Sequence, residues 1–137
     1  MASLYRVLAA TSNSDGRDLQ GAATRGGSTV AQSVVDVVAS SNDGVTPLGS
    51  FGVVVGVTAG EAGVDLGRLG GPVLAPGLGA QGGRAEDLAD VFADLRGLVL
   101  PTSSREILAA GPGIEGLRAA ADAATEACRN VLKLAHL

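Results

Sequence analysis

Eight residues, Pro76-Gly77-Leu78-Gly79-Ala80-Gln81-Gly82-Gly83, make up the stretch of this 137-residue chain best suited to receive an anion. Where side chains are missing, backbone N–H groups can approach a charged oxygen closely, and phosphate is the usual guest of such loops. Further along, Ser104-Arg105-Glu106-Ile107-Leu108 opens a helical segment. A guanidinium there can grip a phosphodianion through two parallel hydrogen bonds, assisted by nearby backbone donors. One surface arginine alone is usually just solvated; its pairing with a glycine-rich loop is what points to a shared anion. The loop also spells G-x-G-x-x-G from Gly77 to Gly82, the fingerprint of dinucleotide-binding α/β domains. That reading asks for an acid about 20 residues later to hold a ribose. Pro101-Thr102-Ser103 stands there instead, which makes it the lesser alternative.

These loops need elements to carry them. Residues 4–9 read as a buried strand that runs into the turn formers Thr11-Ser12-Asn13-Ser14-Asp15-Gly16. After Gly26-Gly27, Ser28 or Thr29 can cap a helix in which Val30, Val34, Val35 and Val38 recur at helical spacing, ending near Asn42-Asp43-Gly44. The continuous β-branched run over 52–57 suits a strand covered on both faces, as in a parallel sheet. A turn at 58–60, a short helix over 61–69 and a third strand at 72–75 lead to the glycine loop, and a helix over 84–95 follows it. A fourth strand at 98–100 exits through a polar stretch into a helical turn at Ile107-Leu108. Past Gly111-Pro112-Gly113, a last helix presents Ile114, Leu117, Ala121, Ala124, Cys128 and Val131 as one apolar stripe.

The pattern βαβαβαβα places the chain in the α/β class, as a single domain. Four such units form either a small open sheet or half of an eightfold barrel. Polar clusters follow the first, third and fourth strands, at the carboxyl edge where α/β proteins hold their ligands.

Composition narrows the functions on offer. A net charge of −4 comes from scattered acids and arginines with no basic stripe, which argues against nucleic acid as a partner. Hydrophobic residues reach 46% and aromatics only 2%, so the core is expected to be built from Val, Leu, Ile and Ala, a common filling for barrel interiors. The single cysteine, Cys128, can form no internal disulfide and reads as a buried, inert thiol. No apolar run approaches about 18 residues, and the first ten residues lack the length and flanks of a signal peptide. A soluble, cytoplasmic protein that does not engage membranes is therefore expected. A strand that begins almost at Met1 reads as a chain entered midway.

Taken together, the loop over 76–83 and Ser104-Arg105-Glu106-Ile107-Leu108 resemble the phosphate-gripping pair of the orotidine 5′-phosphate decarboxylases. Thr11-Ser12-Asn13 and Gly52-Val53-Val54-Val55-Gly56-Val57-Thr58 are similar to the same family's middle strands, above all in its second bacterial subgroup. The resemblance covers residues 4–120 and implies the C-terminal half of a TIM (β/α)8 barrel, with four consecutive βα units. It implies that Ser12 bonds the pyrimidine ring, that Gln81 reaches the phosphate from a closing loop and that Arg105 clamps it. Gly79, Gly82 and Ser104 would bring backbone close to the ligand, orotidine or uridine monophosphate. Ser104 stands where many relatives have glycine, and Val57 where alanine is usual.

Members of that family convert orotidine monophosphate to uridine monophosphate and carbon dioxide without metal or organic cofactor, using a lysine and aspartates on earlier strands. Here the single lysine, Lys133, lies near the end of the last helix, and there is no Asp-x-Lys-x-x-Asp motif. His136 has no plausible triad setting. No catalytic residue and no metal ligand is assigned, and the chain alone is expected to be inactive. A half barrel leaves its outer strands unpaired, so association is expected, with a second copy or with the missing N-terminal half. The alternative from another class is a non-catalytic phosphate-ligand binding or half-barrel assembly subunit.

Overall fold

The computed structural model describes residues 6–132 except 12–13, 59–62, 80, 94 and 96–97. Four strands, β1 (Arg6–Thr11), β2 (Phe51–Val55), β3 (Val73–Pro76) and β4 (Val99–Thr102), form one sheet in the order β1-β2-β3-β4, and every neighbouring pair is parallel. Register fixes two rows across it. One runs Leu8, Val53, Val73, Val99, and the next runs Val54, Leu74, Leu100. Because successive strand residues point to opposite faces, the rows look different ways. Val53 and Val73 are fully buried and Val99 nearly so, in one cluster with Val35, Val38, Leu88, Phe92 and Cys128 from the helical side. Val54 and Leu74 are half-buried, and Leu100 is 43% exposed. The sheet thus has an open face and one that is packed over β2 to β4, with Leu8 at the outer strand 38% exposed.

Helix α2 (Val30–Asn42) covers β1 and β2, and its local sequence explains both its start and its buried side. Thr29 is extended, and its hydroxyl accepts from the Gln32 amide at 3.0 Å, satisfying one of the donors that a helix start leaves unpaired. Ala31, Val35, Val38 and Asn42, spaced by threes and fours, face inward. Asn42 is a buried polar residue with its bonds made. Its Nδ2 donates to the carbonyls of Phe51 and Leu69, each at 2.9 Å, and its Oδ1 accepts from the Phe51 amide at 3.2 Å. The end of α2, the start of β2 and the approach to β3 are tied by this one side chain. A Cβ at Gly71 would overlap the Phe51 carbonyl and crowd the Asn42 amide, so only glycine fits that approach.

Several expected elements differ. The polar stretch after β1 contains a 3-10 turn (Ser14–Gly16) and a short helix, α1 (Arg17–Gln20). In place of a helix over 61–69, the described residues 63–69 are irregular. Gln32 reaches across from α2, accepting from the Asp65 amide at 2.7 Å and donating to its carbonyl at 3.3 Å. With its backbone bonded in this way and Gly63 at positive φ, the segment buries Leu66 and Leu69 without helical turns. The helix expected over 84–95 shortens to α3 (Asp87–Val91), preceded by a turn in which Asp87 accepts from the Arg84 amide at 2.7 Å. Conversely, the turn at Ile107-Leu108 extends to a helix, α4 (Arg105–Ala109). The last helix, α5 (Ile114–Leu132), buries Cys128 and half-buries Leu117, Ala121, Ala124 and Val131, while Ile114 stays exposed. Lys133 and His136 lie outside the described residues.

Candidate functional site

The carboxyl ends of β3 and β4 lie side by side, with Ala75 paired to Pro101 and Pro76 to Thr102. The segments that follow therefore leave one edge from adjacent strands. After β3 the chain folds into a turn bonded to itself: the Gly83 amide donates to the Gly77 carbonyl at 3.0 Å, Gly79 to Gly83 at 2.8 Å and Gly82 to Gly79 at 2.7 Å. In this conformation Gly79 and Gly82 contribute by closing the loop, since their amides already have acceptors. Gln81 is exposed and folds back, with its Oε1 3.3 Å from where a Cβ on Gly77 would stand. Gln81 and Arg105 are both exposed, and neither has a side-chain hydrogen bond or ion pair to a described residue.

After β4, Ser104 precedes α4 with an exposed side chain that makes no cap, while its carbonyl accepts from the Leu108 amide at 2.9 Å. Arg105 opens α4, exposed and with no ion pair to any described residue. The two segments touch through Glu106. A Cβ built on Gly79 would overlap the Glu106 carboxylate and lie 3.0 Å from its Cβ, and Gly79 has φ +69°. The glycine loop and the first turn of α4 are thus in contact, as a shared site requires.

Ser12, expected at the base, lies outside the described residues. Its neighbour Thr11 ends β1 on the same carboxyl edge, fully buried, and its Oγ1 has no partner among the described residues. Ser103 Oγ, just past β4, is likewise shielded and unpartnered. Neither hydroxyl, nor Glu106, is marked by sequence pattern, because a threonine in a turn-rich exit and a glutamate on a helix are ordinary surface choices. Among the described residues no group of three or more His, Cys, Asp or Glu could hold a metal. Burial pushes the Cys128 thiol up, away from the thiolate. That residue lines a groove of about 590 Å³ between the free edge of β4 and α5, together with Leu98, Leu100, Ile107, Ala121 and Ala124. Strand order runs consecutively with no reversal, so the sheet has no switch-point crevice of the kind that takes a dinucleotide. No helix of the described residues is long and apolar enough to cross a membrane.

No family model matches the chain. Among curated proteins it is 56% identical over 126 residues to an orotidine 5′-phosphate decarboxylase of Salinispora arenicola and 46% identical over 117 residues to one of Streptomyces coelicolor. These alignments take in 92% and 85% of this chain but 45% and 42% of the relatives, so the chain spans about half the length of the curated proteins it matches. A crystal structure from Streptomyces avermitilis, described as a candidate orotidine 5′-phosphate decarboxylase, superposes with a TM-score of 0.79 at 43% identity, covering 93% of this chain and 45% of that one. A Toxoplasma gondii structure, described as a candidate orotidine-monophosphate decarboxylase, shares the fold with a TM-score of 0.60 at 23% identity.

Proposed function

The chain is a relative of the orotidine 5′-phosphate decarboxylases over about half of their length, their C-terminal half, and on that premise we propose that it forms the ligand-gripping half of such a barrel. The ligand is a nucleoside monophosphate, orotidine or uridine monophosphate. Gln81 and Arg105 hold its phosphate, Ser12 bonds its pyrimidine ring, and backbone at Gly79, Gly82 and Ser104 lines the approach. What carries this reading is the meeting of the two loops: paired exits at Pro76 and Thr102, and Gly79 against Glu106, the residue next to Arg105.

The whole enzyme would turn orotidine monophosphate into uridine monophosphate and carbon dioxide. A phosphate grip lowers that barrier only if its binding energy is used at the reacting centre, where preorganised charges usually do most to stabilise the transition state. With Lys133 as its single lysine, distant in sequence from every strand, this chain supplies no such array and does not decarboxylate by itself. It acts with the other four strands of the barrel, which cover the open row of Val54, Leu74 and Leu100 and pair with β1 and β4. A soluble, cytoplasmic setting fits this role, and the chemistry calls for no cofactor.

Calorimetric titration with uridine monophosphate tests the grip. The native chain binds, and Arg105→Ala weakens binding about 10- to 100-fold, the loss expected for one charged hydrogen-bonding partner. Equal heat from both proteins, or none from the native chain, removes the phosphate site.

A further inference from the structure

The side chain seated on the glycine loop is that of Glu106, and the family reading gives it no role. A residue at Gly79 with any Cβ would overlap that carboxylate, so the bare Cα at φ +69° makes room for it. Glu106 is exposed and has no cationic partner among the described residues. A carboxylate without a cation thus stands at the mouth of a loop whose neighbour, Arg105, is free to take an anion.

We propose that Glu106 is a specificity-determining residue: its carboxylate, held against Gly79, admits a ligand with one phosphate group and disfavours ligands with two or more. The inference rests on the phosphate site proposed above. A single phosphate can face Arg105 and Gln81. A second phosphate adds negative charge beside the Glu106 carboxylate, which repels it, and selectivity gained through an unfavourable contact with the wrong ligand is a general device. The repulsion acts between partly solvated charges, so it is modest and falls as salt rises.

Titration of the full chain with uridine, uridine monophosphate and uridine diphosphate, followed by amide NMR shifts at low and high ionic strength, reads this directly. Wild type prefers the monophosphate. Glu106→Gln and Glu106→Ala raise diphosphate affinity about five- to tenfold at low salt, raise monophosphate affinity less, leave uridine unchanged, and lose most of the gain at high salt. Agreement between the two variants separates charge from packing, and melting curves check that both are folded. If the diphosphate-to-monophosphate ratio is unchanged in both variants while Arg105→Ala still weakens the monophosphate, this inference is wrong and the phosphate site stands. If Arg105→Ala changes nothing, the site and the inference fall together.

Discussion

Gly79 shows how much a single missing side chain can decide. Its positive φ lets the loop after β3 close on itself, and its open Cα receives the Glu106 side chain from α4. Gly79→Ala strains the backbone by about 1–2 kcal/mol, the cost of left-handed geometry for an L-residue, and displaces the Glu106 carboxylate as well. Urea unfolding should show a lower midpoint for this variant, and uridine monophosphate titration a weaker complex; an unchanged midpoint would mean that the loop readily adopts another turn. At this scale the sequence was readable only in part. The glycines and Arg105 stand out by type and spacing, and Cys128 is buried as expected, with burial pushing its thiol up. The seat of Glu106 and the shielded hydroxyls of Thr11 and Ser103 depend on which strands become neighbours, which no local pattern encodes.

Among the elements, strands β2 and β3 and helix α2 were plain in the sequence because each carries a strong local signal: a β-branched run, a short apolar stretch next to glycines, and a capped stripe of valines. The segment over 63–69 was not, because its conformation is set by Gln32 on another element rather than by its own periodicity. The same holds for Asn42, which reads as a helix terminator yet joins three segments at the amino edge of β2, opposite the candidate site. Asn42→Ala would leave the Phe51 and Leu69 carbonyls and the Phe51 amide without partners, a loss of about 2–4 kcal/mol. Chemical denaturation should report that loss, with ligand affinity in the still-folded protein near wild type. Loss of affinity equal to that of Arg105→Ala would instead tie the two edges of the sheet together.

For the whole molecule, the open row of apolar residues and the two outer strands matter most. Val7 at 47% exposed and Leu100 at 43% are unusual for strand residues of an α/β sheet, whose faces are normally both covered. Exposed strand edges invite pairing, and the groove between β4 and α5 extends that unfilled surface. The relatives are about twice as long and share the fold over the matched half, and in the function proposed above the other half of the barrel covers these surfaces. On this view the chain holds the ligand while the lysine and aspartates come from the other half. Carbon dioxide release from orotidine monophosphate, measured for the chain alone and after addition of the remaining half of the Salinispora arenicola relative, tests that division most directly. The prediction is no release above background from the chain alone and turnover once the other half is present. Turnover by the isolated chain at the rate of the reconstituted pair would contradict it.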